Sequence, residues 1–289
     1  MKYFFLLGAK DPEMERIAEV LQESDQVFSW ATKDGKLVNP ASTYSADPVQ
    51  INGFDAIVCV ESMPSSLPVG AKKIVVDHHR PGDPGYDKGP SEFWQATSLG
   101  QIYKLLLLPA PPKKDLVLAA MDHCFTAAIR DGMCPGIASE DVKALRITNI
   151  AKTTGTSEQD VLNKVQSFDG FLNRVQRFEG FYVSANEVTI GSQKIKDMRH
   201  IDLGTGYSLD LLAAQTSIAL CGGTALLRHR DAGDAREKNT IYGRAEPMTI
   251  IAFKDNWAAS QGLVEPYGVP ERSYAGAYAA RTANGIHAG

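Results

Sequence analysis

Cysteine is scarce and poorly placed for chemistry. The four, Cys59, Cys124, Cys134 and Cys221, are irregularly spaced and form no Cys-x-x-Cys pair, which excludes a zinc ribbon or a dithiol redox motif. Three sit in apolar surroundings and read as small hydrophobes, the reduced thiols of a cytosolic protein. Long hydrophobic runs are also missing. The opening MKYFFLLGAKDPEMER breaks at acidic residues with no small-residue cleavage site. The run from Ile102 to Leu108 is interrupted by Lys104, ended by Pro109 and far too short to span a bilayer. A soluble, cytoplasmic chain with no membrane partner is expected. Neither sign of charge dominates: 30 basic against 34 acidic residues leave a net charge of -4, which excludes a polybasic nucleic-acid binder. With 44% hydrophobic and 22% charged residues, the chain is not disordered either. Repeats and low-complexity segments are absent.

What is present reads as α/β, with a parallel sheet flanked by helices and then a smaller α+β domain. Tyr3–Leu7 is a continuous apolar run, as in a strand buried on both faces. Asp11 and Pro12 then suit a helix cap and first position, with Glu13 and Glu15 complementing the helix dipole. Further strands are predicted at Val27–Ala31, Asp55–Val60 and Lys73–Val76. After a Pro/Gly-rich loop from Arg80 to Pro90, helices are predicted over Ser98–Leu108, Asp115–Arg130, Ser139–Thr153 and Ser157–Phe178. Beyond Gly180, β-like runs appear at Glu187–Ile190, Thr224–Arg228, Asn239–Tyr242 and Pro247–Phe253, around one helix at Ser208–Leu220. The tail from Gly262 has no clear periodicity and reads as an extended arm or lid. These patterns divide the chain into residues 1–180 and 181–289.

Candidate chemistry gathers at strand ends, where parallel sheets bind ligands. Asp77-His78-His79-Arg80 leaves one buried strand and Glu61 leaves another. Imidazole is a ligand for manganese, iron or zinc, and carboxylates suit manganese and magnesium. Asp122-His123 lies inside the apolar helical run LVLAAMDHCFTAAI, where such a pair is costly unless partnered or metal-bound.

The Asp77-His78-His79 segment resembles the third motif of the DHH phosphoesterase superfamily, which includes family II inorganic pyrophosphatases, RecJ-type exonucleases and small-oligonucleotide ribonucleases. Family II pyrophosphatases open with Gly-His-Lys-Asn-Pro-Asp-x-Asp-Ser-Ile after a first strand. Here Gly8-Ala9-Lys10-Asp11-Pro12-Glu13-Met14-Glu15-Arg16-Ile17 stands in that place. Gly, Lys, Pro and Ile are in register, the two aspartates are replaced by Glu13 and Glu15, and the histidine by Ala9, which cannot bind metal. Glu61 falls where the second motif carries a bridging aspartate. Asp122, with Asp131 as its rival, stands for the fourth-motif acid. The likeness covers roughly residues 1–135.

The resemblance implies a divalent metal, manganese first, with magnesium, iron or zinc as alternatives. Glu13, Glu15, Glu61, His78 and Asp122 would be its ligands, with Asp77 orienting His78. His79 and Arg80 would meet a phosphate. Arg228 and Arg244, near glycines resembling the family's glycine-rich substrate-binding sequence, and Arg272, a further basic candidate in the tail, would complete the substrate site. The expected activity is hydrolysis of a phosphodiester or phosphoanhydride in a small nucleotide-like substrate or short oligonucleotide. The alternative is a DHH-like protein that binds a phosphorylated ligand without turnover.

Overall fold

The structure, a computed structural model, describes residues 1–130, 132–169, 177–178, 181–200, 208–221, 223–230 and 236–280. It forms two compact units, Met1–Val142 and Lys143–Gly289. Among the described residues no helix is long and apolar enough to cross a membrane.

The first unit is built on a parallel sheet of β1 (Tyr3–Leu7), β2 (Val27–Trp30), β5 (Ala56–Val60) and β6 (Lys72–Val76), in the order β2-β1-β5-β6. A small hairpin, β3 (Thr32–Lys33) and β4 (Lys36–Leu37), fills part of the polar stretch after β2. The apolar runs account for the sheet: β5 is buried throughout and β1 from Phe4 onward. Phe4, Leu6, Ile57 and Cys59 pack with Ala31, Val38, Ala46 and Val49 on one face. Phe5, Leu7, Val58 and Val60 alternate to the other and are equally buried. Each large side chain so buried contributes about 1.5–3 kcal/mol. β6 is an edge strand and opens with exposed Lys72 and Lys73, charges that discourage pairing with another chain.

Helix α1 (Pro12–Glu23) starts where the sequence predicts, with Asp11 accepting the Met14 N–H at 2.7 Å. A short α2 (Phe93–Ala96) leads to α3 (Ser98–Leu105), capped by Thr97. Helix α4 (Lys113–Ala128) kinks at Cys124 (φ -152°, ψ 53°). α1 contacts both α3 and α4, and α3 contacts β6.

The second unit begins earlier than the residue-180 boundary that the sequence suggests. Helices α5 (Ser139–Thr154) and α6 (Glu158–Asp169) share their core with α7 (Leu209–Cys221): Ile147, Ile150, Val161, Val165 and Phe168 pack with Leu211, Ala214 and Ile218. This unit is therefore no smaller than the first. Its mixed sheet comprises β7 (Arg177–Phe178), β8 (Phe181–Ile190), β9 (Gln193–His200), β10 (Thr224–Arg230), β11 (Glu237–Gly243), β12 (Leu263–Val269) and β13 (Tyr274–Ala279). The order is β12-β13-β11-β10-β9-β8-β7, with β9 and β10 parallel and the other pairs antiparallel.

Three expectations are corrected here. Of the helix predicted over 157–178, Glu158–Asp169 is helical but Arg177–Phe178 is a strand; residues 170–176 lie outside the described residues. Pro247–Phe253 is a helix, α8 (Pro247–Ala252), running into a π-helical turn Phe253–Trp257 and α9 (Ala258–Ser260). Pro247 sits at its first turn, where the missing N–H costs nothing, and Ile250, Phe253 and Ala258 pack on the sheet at helical spacing. The described part of the tail, Leu263–Ala279, is a paired hairpin, with β13 hydrogen-bonded to β11; residues 281–289 lie outside the described residues. Its alternation is obscured by a register shift between Val264 and Tyr267 and by small residues: Tyr267 lies across Gly276, where a Cβ would collide with its ring.

Candidate metal centre

Parallel register makes the site. Leu7, Val60 and Val76 are cross-strand partners, so Gly8, Glu61 and Asp77 leave β1, β5 and β6 side by side at the carboxyl edge. Glu61 turns there with φ 45°, a left-handed conformation that costs a non-glycine residue about 1–3 kcal/mol. Its backbone is held on both sides: the N–H donates to Val76 O at 3.0 Å, and the carbonyl accepts from Thr43 Oγ1 at 2.6 Å.

Four side chains converge. His78 is fully buried, and its Nε2 lies 3.1 Å from Asp122 Oδ2, 3.3 Å from Glu61 Oε1 and 3.7 Å from Glu13 Oε2. These ligand atoms all lie within 4.8 Å of one another, and Glu61, His78 and His79 form a second such group. Each carboxylate is secured by its own element. The first turn of α1 carries Glu13, whose Oε1 accepts the Leu99 N–H at 2.9 Å from the amino end of α3. Glu61 Oε1 accepts from Ser98 Oγ at 2.7 Å. Asp122 stands on α4 just before its kink. Apart from the His78 imidazole beside them, the buried Glu13 Oε2 and Asp122 Oδ2 have no hydrogen-bond partner among the described residues.

The electrostatics follow from crowding acids out of water. Burial, then Asp122 and Glu61, push the Glu13 carboxyl well above its ordinary value. Burial, Glu61 and Asp122 push Asp11 up to about 8, although the Met14 N–H opposes this. Burial alone would lower His78, but its contacts with Asp122, Glu13 and Glu61 outweigh it and raise it well above 6.5. Burial would likewise raise Asp122, yet His78 holds it below its ordinary value. The cluster therefore demands positive charge at one point. Buried carboxylate oxygens without donors, beside an imidazole nitrogen, are a donor set that suits a divalent cation.

Asp77 has a different role from the one expected. Its Oδ1 accepts the backbone N–H groups of His78 (2.7 Å) and His79 (3.0 Å) and lies 3.1 Å from His79 Nδ1. Tyr44 donates its hydroxyl to Oδ2 at 3.0 Å. Burial would raise Asp77, but hydrogen bonding and charge from His79 bring it down to about 2. It thus orients the His79 ring, while the His78 ring meets His123, with 3.2 Å between the two Nδ1 atoms. His79 is half-exposed at 47%. For His79, burial acts downward but Glu61 and Asp77 raise it overall. The Arg80 guanidinium stacks 3.4 Å from the Tyr44 ring centroid.

Of the sequence-predicted ligands, Glu13, Glu61, His78 and Asp122 come together, and Glu15 lies outside both groups. Asp131 is outside the described residues. Arg228, Arg244 and Arg272 belong to the second unit. There Arg228 pairs with Asp197 at 2.9 Å, Arg244 donates its backbone N–H to Gly223 O, and Arg272 sits in a short 3-10 turn. Sequence reasoning noted the Ser-containing helix that opens at Ser98 but missed Tyr44, the Leu99 amide and the role of His123. Of the three, His123 carried a signal, as the partner of Asp122 in an apolar helix. Comparison of the chain with protein-family models and with curated proteins finds no match.

Proposed function

We propose that this protein is a divalent-metal-dependent phosphoesterase acting on a small nucleotide-like phosphodiester or phosphoanhydride, with manganese the favoured cation. The reading is carried by one observation: Glu13, Glu61, Asp122 and His78 point four ligand atoms at one buried place, where two carboxylate oxygens have no partner but the His78 imidazole. It is supported by the strand ends from which these residues come and by the resemblance of Asp77-His78-His79 to the DHH third motif. The bound cation would supply Lewis acidity to a phosphoryl oxygen and to the attacking water.

The chain's own groups do the rest. Asp77 holds His79 by Nδ1, which leaves Nε2 for a phosphate oxygen or a leaving-group proton. Arg80, braced on Tyr44, offers a guanidinium to the same phosphate. A ligand-binding protein without turnover is the second reading. It is favoured by Ala9, which packs against the apolar cluster of β1 and β5 and adds no ligand.

The test is calorimetric titration of chelator-treated protein with Mn²⁺, followed by hydrolysis of bis-p-nitrophenyl phosphate. Stoichiometric binding and turnover are expected, both lost in His78→Ala, whereas His79→Ala keeps the metal and loses turnover. Metal binding without turnover on any phosphodiester or pyrophosphate would establish the binding reading. No metal binding would end both.

A further inference from the structure

His123 stands one residue beyond Asp122 on α4 and is as inaccessible as His78, at 1% against 0% exposed. Its two ring nitrogens meet different partners. Nε2 lies 2.9 Å from the Lys88 carbonyl oxygen, and Nδ1 lies 3.2 Å from His78 Nδ1. A carbonyl only accepts, so the first contact places the His123 proton on Nε2. The neutral ring then presents a bare Nδ1, which can only accept, so His78 must donate from its own Nδ1. In the neutral ring, the form that can bind a cation, this leaves the His78 lone pair on Nε2, the atom that faces Asp122, Glu61 and Glu13.

We propose that His123 is a positioning residue: it holds His78 in the Nδ1–H form and so commits His78 Nε2 to a divalent cation. The inference rests on the reading that this cluster binds metal. Histidine ligands are commonly oriented by a carboxylate or a carbonyl on the second nitrogen. A carboxylate here would add a fourth buried acid to the three already crowded around His78 Nε2. An imidazole relays the orienting effect of the Lys88 carbonyl to His78 without adding charge. The loop that brings this carbonyl is packed tightly: a Cβ at Gly85 would collide with the Ala96 carbonyl and come within 2.7 Å of His78 Cβ. The Gly/Pro-rich segment between Arg80 and Pro90 therefore has a structural task, to deliver one acceptor behind the histidine pair.

The experiment compares wild type, His123→Leu and His123→Asn. Leucine removes the acceptor, and asparagine returns one through Oδ1 near the place of Nδ1. Calorimetry with Zn²⁺ and Mn²⁺ alone reads affinity. Long-range ¹H–¹⁵N spectra of the Zn²⁺-loaded protein read which His78 nitrogen carries the proton. Expected are protonation of His78 at Nδ1 in wild type, a 10–100-fold loss of affinity in His123→Leu, and recovery of most of it in His123→Asn. Wild-type affinity in His123→Leu, failure of His123→Asn to improve on it, or a loaded wild type with His78 protonated at Nε2 would each overturn the inference while leaving the metal site intact. A wild type that binds neither cation would overturn the metal reading itself. Should His123→Leu fail to fold, the wild-type spectrum and His123→Asn decide.

Discussion

Glu13 is buried with one oxygen on the Leu99 N–H and the other with no partner but the His78 imidazole. Burial and the neighbouring acids favour its protonated form when no cation is present. Glu13→Gln should therefore leave the melting temperature in chelator nearly unchanged, within about 0.5 kcal/mol as for a substitution that breaks nothing, and lower Mn²⁺ affinity at least 10-fold. Thermal melts in EDTA and calorimetry check the two halves, and a large loss of stability without metal would show that Glu13 holds the fold rather than a cation. Asp47, away from the site, gives the pH prediction. It accepts from Gly35 N–H (3.1 Å), Thr32 Oγ1 (2.8 Å) and Asp34 N–H (2.9 Å), which pin the β3–β4 turn. These bonds lower its folded pKa below 3.8. The folded state then holds the proton less tightly than the unfolded chain, so the stabilisation is complete above 3.8 and disappears as pH falls through the lower folded value. Asp47→Asn should be less stable than wild type at pH 7, with the gap closing below about pH 3.8. Denaturant melts across that range would show it, and a gap independent of pH would exclude the charge as its cause.

At the scale of elements, the site depends on β1, β5 and β6 ending in register. Gly8 is the tightest point: its N–H donates to Val60 O at 2.9 Å, and a Cβ there would collide with the Glu61 carbonyl and press on Thr43 Oγ1. Because the obstacle is backbone, Gly8→Ala must push the β5 end aside, at about 1–3 kcal/mol. It should also weaken metal binding through Glu61, although Gly8 contributes no ligand. Chemical denaturation and Mn²⁺ calorimetry test this, and an alanine variant with normal affinity would mean that Glu61 is not held by this contact. The same scale shows why local pattern misled in the second unit. Met248-Thr249-Ile250-Ile251 is rich in β-branched residues, yet packing of Ile250 and Phe253 on the sheet selects a helix.

At the scale of the whole molecule, the two units have separate cores, and the proposed cation is held wholly by the first. Saturating Mn²⁺ at 100 times its Kd adds about 2.7 kcal/mol to the state that binds it. In hydrogen exchange, segments around residues 8–16, 60–63, 76–80 and 118–124 should gain protection first. A gain confined to other segments would place the cation elsewhere. The sequence alone determined the four parallel strands of the first unit, the Asp11 cap, and the candidates Glu13, Glu61, His78 and Asp122, because continuous apolar runs and ionisable groups at strand exits are local signals. Only the tertiary structure decided that Glu15 stays out of the cluster, that Asp77 serves His79, and that His123 stands behind His78. Those outcomes depend on the strand order β2-β1-β5-β6, the packing of α4 against α1 and the path of a Gly/Pro-rich loop. Each is set by packing between residues tens of positions apart, and no local pattern encodes such distances.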